Sequence, residues 1–432
     1  MTSIENLRSA LVAVKPGAVA CRIINMIWKN FGYLSLFNLI TIAFPLLTYP
    51  YLTQYLGADY FSKSIYIQTI ISYFTVFVGF GINISGTKII AAHRNDKNEI
   101  DKIFWQFFVV KLFLASISTM LLVLVVISFE DCFFYFLSFP LIYAELFFPQ
   151  WYYQGMERMK NITIINLVSR VMVFLMIIFY VKGPSDVYVY LIIFSFIPFI
   201  VNFFSFSYLT FSDKILFKKE YCKISELKGI IKYSLPIFCS TFLSVIKDRT
   251  NIIIIGALIG AHQVIVYDFL IKVINVISGI YSSFTNAQFP YFVKNKDEEK
   301  YKKYTLYILI SSLIMVLVSI IIINIIKSIG TLAGISILNI LFFDEFNIIF
   351  YWLIWLVPLR ALSYQIGMCK LIPEGLENKY TFTLLISTII YMAGNGIVYL
   401  LKVDNLNVIL FVLILSVFFE VIYRLLVSKL KS

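Results

Sequence analysis

The stretch FWQFFVVKLFLASISTMLLVLVVIS, residues 104–128, decides the fold class of this chain. It is apolar almost throughout, and its one charged residue is Lys111. A helix needs about 20 predominantly apolar residues to cross the hydrocarbon core of a bilayer. The stretch therefore predicts a transmembrane α-helix. Because an ionisable side chain inside a bilayer is costly, Lys111 is a candidate functional residue.

Similar apolar runs recur along the whole chain. Of its 432 residues 60% are hydrophobic and 14% are charged, and the mean hydropathy is +0.87, far outside the range of soluble proteins. We predict an all-α polytopic membrane protein with about twelve transmembrane helices. The predicted spans are 31–53, 62–87, 104–128, 133–152, 163–181, 187–210, 234–257, 264–288, 304–328, 347–369, 379–401 and 407–428. The stretch 327–346 stays open as a helix extension, a re-entrant piece or a separate short helix.

The positive charges are distributed unevenly between the two sides of the predicted membrane domain. The formal net charge is +12, and most Lys and Arg residues of the loops lie on the side of the N-terminus. The opposite loops hold only Lys63, Lys182 and Lys402, with Lys327 ambiguous. The positive-inside rule then places both termini in the cytoplasm, and no nucleic-acid partner is expected. Residues 1–28 show no clean apolar core of a cleavable signal peptide.

The cysteines and histidines show no spacing typical of metal ligands or of a disulfide framework. We therefore expect no disulfide framework and no metal site. The residues concerned are Cys21, Cys132, Cys222, Cys239, Cys369, His93 and His262.

The longest charged connector, residues 211–233, divides the predicted spans into two sets of six. We predict an N-terminal lobe over 1–210, a basic cytoplasmic connector over 211–233 and a C-terminal lobe over 234–432. The tetrapeptide 56–59 (LGAD) after the first span resembles 259–262 (IGAH) after the seventh. The match is short, and a chance similarity stays open as the alternative. If the two halves are repeats, six spans in each half make them parallel, and parallel repeats place the substrate path in a central cavity between the lobes.

Charged residues inside the predicted spans are mostly positive. A cavity lined by them would attract an anion, and phosphate or pyrophosphate suits the fork of Arg and the point charge of Lys. The candidate substrate-binding cations are Lys247, Arg249, Arg360, Lys111, Arg170 and Lys272. The candidate groups for titration by a coupling ion are Asp248, Asp268 and Glu145.

Simpler roles stay open for several of these residues. Lys111 and Arg170 lie near the cytoplasmic ends of their spans and could extend to the membrane surface. The spacing of Asp268 and Lys272 is i, i+4, which favours an ion pair on one helix face. Glu420 and Arg424 repeat that spacing, and we interpret them as structural. Consecutive residues of a helix point about 100° apart, so at least one of residues 247–249 faces the interior or water.

Several segments carry a resemblance to a known family. They are 149–170 (PQWYYQGMERMKNITIINLVSR), 45–58 (PLLTYPYLTQYLGA), 81–88 (GINISGTK), 233–238 (YSLPIF) and 248–251 (DRTN). These segments resemble the O-antigen and capsular polysaccharide flippases of the multidrug/oligosaccharidyl-lipid/polysaccharide exporter superfamily. The resemblance implies twelve spans in two lobes, alternating access, and a bacterial inner-membrane protein that moves an undecaprenyl-pyrophosphate-linked oligosaccharide to the periplasmic leaflet.

The same resemblance implies contact with membrane lipids and, as candidate partners, a polysaccharide polymerase and a chain-length regulator. It allows coupling to a proton or sodium gradient. Because transport requires no covalent chemistry, we expect no resident cofactor and no catalytic residues. Two other functions are considered. A membrane-embedded polymerase or glycosyltransferase usually needs a large soluble loop or a cluster of acids and histidines. A multidrug exporter of the same superfamily is expected to place acids, not cations, at the cavity centre.

Overall fold

The computed structural model describes residues 16–129, 131–295, 297–333 and 345–429. In these ranges α-helices make up most of the chain and no strand occurs, so the all-α prediction is confirmed. The helices are α1 (Pro16–Gly79), α2 (Ile82–Ala92), α3 (Lys97–Val126), α4 (Cys132–Leu137), α5 (Pro140–Leu146), α6 (Gln150–Gly155), α7 (Met159–Tyr180), α8 (Val187–Ser212), α9 (Ile224–Leu258), α10 (Ala261–Asn295), α11 (Glu298–Ala333), α12 (Glu345–Leu353), α13 (Leu356–Ile366), α14 (Glu377–Leu400) and α15 (Leu406–Lys429).

The helix lengths agree with about twelve membrane passes. Within the described residues, eleven helical stretches are long and apolar enough to cross a bilayer. The first of them, Leu47–Ala92, has 46 residues, or about 69 Å of helix at 1.5 Å per residue, roughly twice the thickness of a hydrocarbon core. A kink at Gly57 divides α1 into the arms 16–56 and 58–79, and the second arm is followed by α2. Helices α1 and α2 together therefore supply two passes, and the described residues agree with about twelve passes.

The two glycines of the short sequence repeat lie at equivalent turns. Gly57 has φ 77° and ψ 164° at the kink between the two arms of α1. Gly260 has φ 155° in the turn that joins α9 to α10. Both backbones lie at positive φ, where glycine has no Cβ to clash, so each tetrapeptide reverses the chain between two membrane helices.

Three of the predicted spans are broken helices. The span predicted at 62–87 is interrupted at residues 80 and 81, where Phe80 and Gly81 have positive φ, between the end of α1 and the start of α2. The span predicted at 133–152 consists of α4, α5 and α6, and the span predicted at 347–369 consists of α12, α13 and a π-helical turn, Gly367–Leu371. Prolines explain the breaks in the second and third of these spans, because a proline has no N–H to donate to the residue four positions earlier. Pro140 begins α5, Pro149 precedes α6, and Pro358 lies in the first turn of α13.

The open stretch 327–346 is partly resolved by the structure. Helix α11 continues to Ala333, so residues 327–333 extend the ninth span. Residues 334–344 lie outside the described residues, and α12 begins at Glu345. The two ends of the chain, 1–15 and 430–432, also lie outside them. In the predicted connector 211–233, residues from Ile224 onward already belong to α9.

Local signals in the sequence explain individual helix ends. The carboxylate of Asp96 accepts hydrogen bonds from the backbone N–H groups of Asn98 at 3.0 Å and Glu99 at 3.2 Å. This N-cap satisfies two donors that the first turn of α3 would otherwise leave without a partner. The helix therefore begins earlier than the apolar run that predicted it.

The outer surface is apolar, and the charged side chains of the spans lie inside. Large hydrophobic residues are exposed along α7, as at Phe179, and along α11, as at Leu317. Exposed apolar faces of this extent suit contact with lipid tails. Helix α1 packs against α9 and α10, which brings the beginning of the chain against its second half. The candidate site lies around this contact.

Candidate functional site

Two cavities with charged linings lie among the described membrane helices. The first cavity has a volume of about 530 Å³, and its charged lining residues are Glu145, Arg170, Arg249, Asp268 and Lys272. The second cavity has a volume of about 410 Å³, and its charged lining residues are Lys247, Asp248, Arg360, Glu420 and Arg424. Asn275 lines both cavities, so they are adjacent.

Helix α9 supplies charges to both cavities. Lys247 and Asp248 line the second cavity, whereas Arg249 lines the first. Successive residues of a helix are rotated by about 100°, so three consecutive charged residues divide between two sides of α9. All three side chains therefore face polar space inside the protein, as the sequence predicted for at least one of them.

Asp268 is the centre of an ion-pair cluster in the first cavity. Its Oδ1 lies 2.9 Å from Nη1 of Arg249, and its Oδ2 lies 2.5 Å from Nζ of Lys272. The Tyr49 hydroxyl donates a hydrogen bond to Asp268 Oδ2 and accepts one from Lys272. The ion pair expected between Asp268 and Lys272 on α10 is thus present. Helix α1 adds the hydroxyl group of Tyr49 to this cluster.

Arg170 contributes a positive charge to the first cavity. Among the described residues it forms no ion pair, and its guanidinium carbon lies 5.1 Å from the centre of the Phe44 ring. A cation over an aromatic face gains some electrostatic stabilisation, but it keeps its charge and its hydrogen-bond donors. Arg170 is therefore able to bind an anion in the cavity.

Lys111 lies behind the first cavity and does not line it. Its ammonium group is buried, 2.5 Å from the carbonyl oxygen of Glu145 and 3.2 Å from the carboxylate oxygen Oε1 of the same residue. Pro149 lacks the N–H that would bond to this carbonyl in a regular helix, so the break before α6 leaves an acceptor for Lys111. Lys111 holds Glu145 at the cavity wall instead of extending to the membrane surface.

The second cavity contains a buried acid between two cations. The Oε2 atom of Glu420 lies 2.7 Å from Nζ of Lys247. Its Oε1 atom lies 2.9 Å from Nη2 of Arg424. Ser363 also donates to Glu420 at 2.7 Å. Across the cavity, Arg360 lies 2.6 Å from Asp248.

Sequence reasoning missed some of these residues. It interpreted Glu420 and Arg424 as structural, and although they form the expected i, i+4 pair they also line the second cavity. It did not select Tyr49, whose position between Pro45 and Pro50 in an apolar span was the available signal.

The linings together are positive and rich in neutral polar groups. Among the described residues, six cations and four acids line the two cavities. Hydroxyl and amide groups surround them, including Gln68, Tyr190 and Asn275 in the first cavity. No group of three or more potential metal-ligating side chains occurs in the described part of the chain. The arrangement is suited to bind an anion that carries many hydroxyl groups.

The fold is shared with transporters of known structure. The structure matches an inward-facing multidrug resistance MATE family transporter of the MOP superfamily, with a TM-score of 0.63 over 91% of this chain and 98% of that chain. The sequence identity is only 12%, so the match establishes the fold alone. The chain is a multi-pass membrane protein with this fold.

A family assignment follows from the sequence comparisons. Residues 27–296 match the family model described as "Polysaccharide biosynthesis protein", which covers more than half of the chain, and the chain belongs to this family. Two relatives carry the name "Putative O-antigen transporter". The one from Escherichia coli (strain K12) is 25% identical over 61% of this chain and 64% of its own length. The one from Shigella dysenteriae is 26% identical over 64% of this chain and 69% of its own length.

Proposed function

We propose that this chain is a flippase for an undecaprenyl-pyrophosphate-linked oligosaccharide, an O-antigen or capsule repeat unit. It moves the sugar from the cytoplasmic to the periplasmic leaflet of the bacterial inner membrane by alternating access, with both termini cytoplasmic. The membership in a polysaccharide biosynthesis family and the names of the two relatives support this substrate class. The fold shared with MATE transporters supports the mechanism.

The observation that carries the proposal is the excess of positive charge in cavities among the membrane helices. Placing cations in a membrane is costly unless they have partners. Asp268 neutralises one charge of the Arg249–Lys272 pair, and Arg170 has no acidic partner among the described residues. A pyrophosphate group supplies the missing negative charge and accepts several charge-assisted hydrogen bonds.

The neutral polar groups give a place for the sugars. The hydroxyls of Ser240, Thr241 and Ser244 line the second cavity and donate to carbonyl oxygens of their own helix. Their oxygen lone pairs stay available to accept hydrogen bonds from sugar hydroxyls. The pyrophosphate would thus lie in the first cavity and the glycan would extend toward the second.

The charged residues then have distinct roles. Arg170, Arg249 and Lys272 bind the pyrophosphate, and Lys247 and Arg360 contribute positive charge on the glycan side. Lys111 positions Glu145. Three acids, Asp248, Asp268 and Glu145, are the candidates for coupling to a proton or sodium gradient, and no resident cofactor is required. Lipids hold the polyprenyl tail, and a polymerase and a chain-length regulator use the delivered unit.

Arg170→Gln tests the proposal in a strain that lacks its own flippase and makes the matching lipid-linked unit. We expect wild type to restore surface polysaccharide, and Arg170→Gln at equal membrane abundance to lose most of it and to accumulate the unit in the cytoplasmic leaflet. Arg170→Lys should retain part of the activity because it keeps the charge. Lys97→Gln, which removes an exposed cation outside the cavities, is the matched control.

If Lys97→Gln lost as much surface polysaccharide as Arg170→Gln, the loss would be a general effect of removing a positive charge from the protein. Full activity of Arg170→Gln would contradict the role of this residue.

A further inference from the structure

We propose that Asp268 is an internal counter-anion, which the anionic group of the substrate displaces from Arg249 and Lys272 while Asp268 takes up a proton. This inference rests on the proposed function and adds to it a coupling step located in the binding site itself. The anion is of the phosphate or pyrophosphate class.

The Asp268 carboxylate occupies the donors that a phosphoanion would use. One oxygen accepts from the guanidinium of Arg249 at 2.9 Å, and the other accepts from the ammonium of Lys272 at 2.5 Å. Carboxylates and phosphates are bound by the same cationic donors. The Asp268 carboxylate therefore occupies the position that the anion of the substrate would take.

Exposure to the cavity differs between the acid and its cations. The side chain of Asp268 is 1% exposed, whereas those of Arg249 and Lys272 are 30% and 29% exposed. An incoming anion can approach both cations from the first cavity while Asp268 stays behind them. The exchange needs only the two flexible cationic side chains to turn toward the cavity.

Displacement leaves Asp268 in an environment that favours its protonated form. The groups that face it are Arg249 on α9, Lys272 on α10, Tyr49 on α1 and Tyr190 on α8, with Arg170 on α7 near Lys272. Once both cations bind the substrate, none of the other described cations contacts the carboxylate, and a lone carboxylate in a buried site binds a proton. The protonated acid can donate a hydrogen bond to the Tyr49 oxygen. Anion binding and proton binding then occur together, and release of one favours release of the other.

The acids of the second cavity do not have this geometry. The side chain of Asp248 is 29% exposed and that of its partner Arg360 is 22% exposed, so this acid does not lie behind its cation. Glu420 lies between Lys247 and Arg424, whose side chains are themselves buried. Although Lys247 and Arg424 line the second cavity, only 8% and 2% of their side chains are exposed, so their donors offer an anion little access. Of the described acids that line the two cavities, Asp268 alone is buried behind two cations that are each about 30% exposed.

The test measures binding of inorganic pyrophosphate to the full chain in lipid nanodiscs by titration calorimetry. Repeating each titration in buffers with different ionisation enthalpies gives the number of protons taken up. We expect Asp268→Asn to bind pyrophosphate about tenfold to hundredfold more tightly than wild type at neutral pH, since the competing charge is gone. Wild type should take up more protons than Asp268→Asn, and its affinity should rise more steeply as the pH falls.

Asp213→Asn is the matched control. Asp213 also accepts hydrogen bonds from a tyrosine hydroxyl, that of Tyr152 at 2.6 Å, and from an arginine, Arg158 at 2.6 Å, but it lies outside both cavities. It should leave pyrophosphate affinity and proton uptake as in wild type. Equal affinity and equal proton uptake in wild type and Asp268→Asn would overturn the inference.

A second measurement keeps the inference testable if Asp268→Asn does not fold. Sulfate stays a dianion over the accessible pH range, so proton uptake by wild type on binding sulfate reports the protein alone. Uptake supports the exchange, and its absence overturns it. Failure of the proposed function would give a different result. In that case wild type would bind anions but would not move a lipid-linked sugar in the flippase-deficient strain.

Discussion

Removing the charge of Glu420 should cost the protein much of its stability. In the second cavity Glu420 lies 2.7 Å from Lys247 and 2.9 Å from Arg424, and the exposed side-chain fractions are 7% for Glu420, 8% for Lys247 and 2% for Arg424. The variant Glu420→Gln keeps the shape but leaves two buried cations without their common acid. Breaking a buried ion pair on one side costs about 3–5 kcal/mol, far above the value of an exposed pair.

A double-mutant cycle separates the ion pair from other effects of the substitution. Lys247→Met alone should cost less than Glu420→Gln, because Glu420 retains Arg424 as its partner. The double variant Lys247→Met with Glu420→Gln should lose less free energy than the sum of the single losses, since one of the unpaired cations is removed.

The measurement is reversible unfolding in mixed micelles with increasing SDS, followed by tryptophan fluorescence. A loss of less than about 1 kcal/mol for Glu420→Gln, the value of an exposed pair, would refute the account of a buried cluster. Strict additivity in the cycle would show that Lys247 and Glu420 do not interact.

Two further substitutions test the packing around the sequence motif at 149–160. Gly155→Ala should lower the free energy of unfolding by about 1–3 kcal/mol, because the added Cβ would lie 2.5 Å from Cγ2 of Ile90. Gly183→Ala is the control: a Cβ added there meets nothing within 4 Å, so the stability should not change. Equal thermal stability of these two variants would contradict the close approach of α2 and α6. Tyr152→Phe should lose about 1.5–3 kcal/mol, because its hydroxyl donates to Asp213 at 2.6 Å, and unchanged unfolding in SDS would contradict that contact.

The fold class followed from the sequence because long apolar runs have one physical explanation. Residues 104–128 predicted a membrane helix, and α3 covers 97–126. The exact ends did not follow, since the cap of Asp96 lies before the apolar run. The breaks inside the predicted spans 133–152 and 347–369 were only partly visible, because a proline can bend a membrane helix or interrupt it.

The candidate site contains local contacts, which the sequence predicts, and long-range contacts, which it does not. The Asp268–Lys272 pair was predicted because i, i+4 geometry is local. The contact of Tyr49 with Asp268 joins α1 to α10, and that of Lys247 with Glu420 joins α9 to α15. Such long-range pairs depend on how helices pack, which a single sequence does not specify. The absence of an acidic partner for Arg170 among the described residues likewise became visible only in three dimensions.

Transfer of the lipid-linked sugar between leaflets tests the central claim most directly. The chain would be reconstituted into vesicles with the undecaprenyl-pyrophosphate-linked unit from its own strain, and sugar exposure would be followed with an impermeant glycosidase. The account predicts that wild type moves the unit from the protected to the exposed leaflet, faster under a proton gradient, and that Arg170→Gln does not. Absence of transfer by folded wild type with its own substrate and a gradient in either direction would contradict the account.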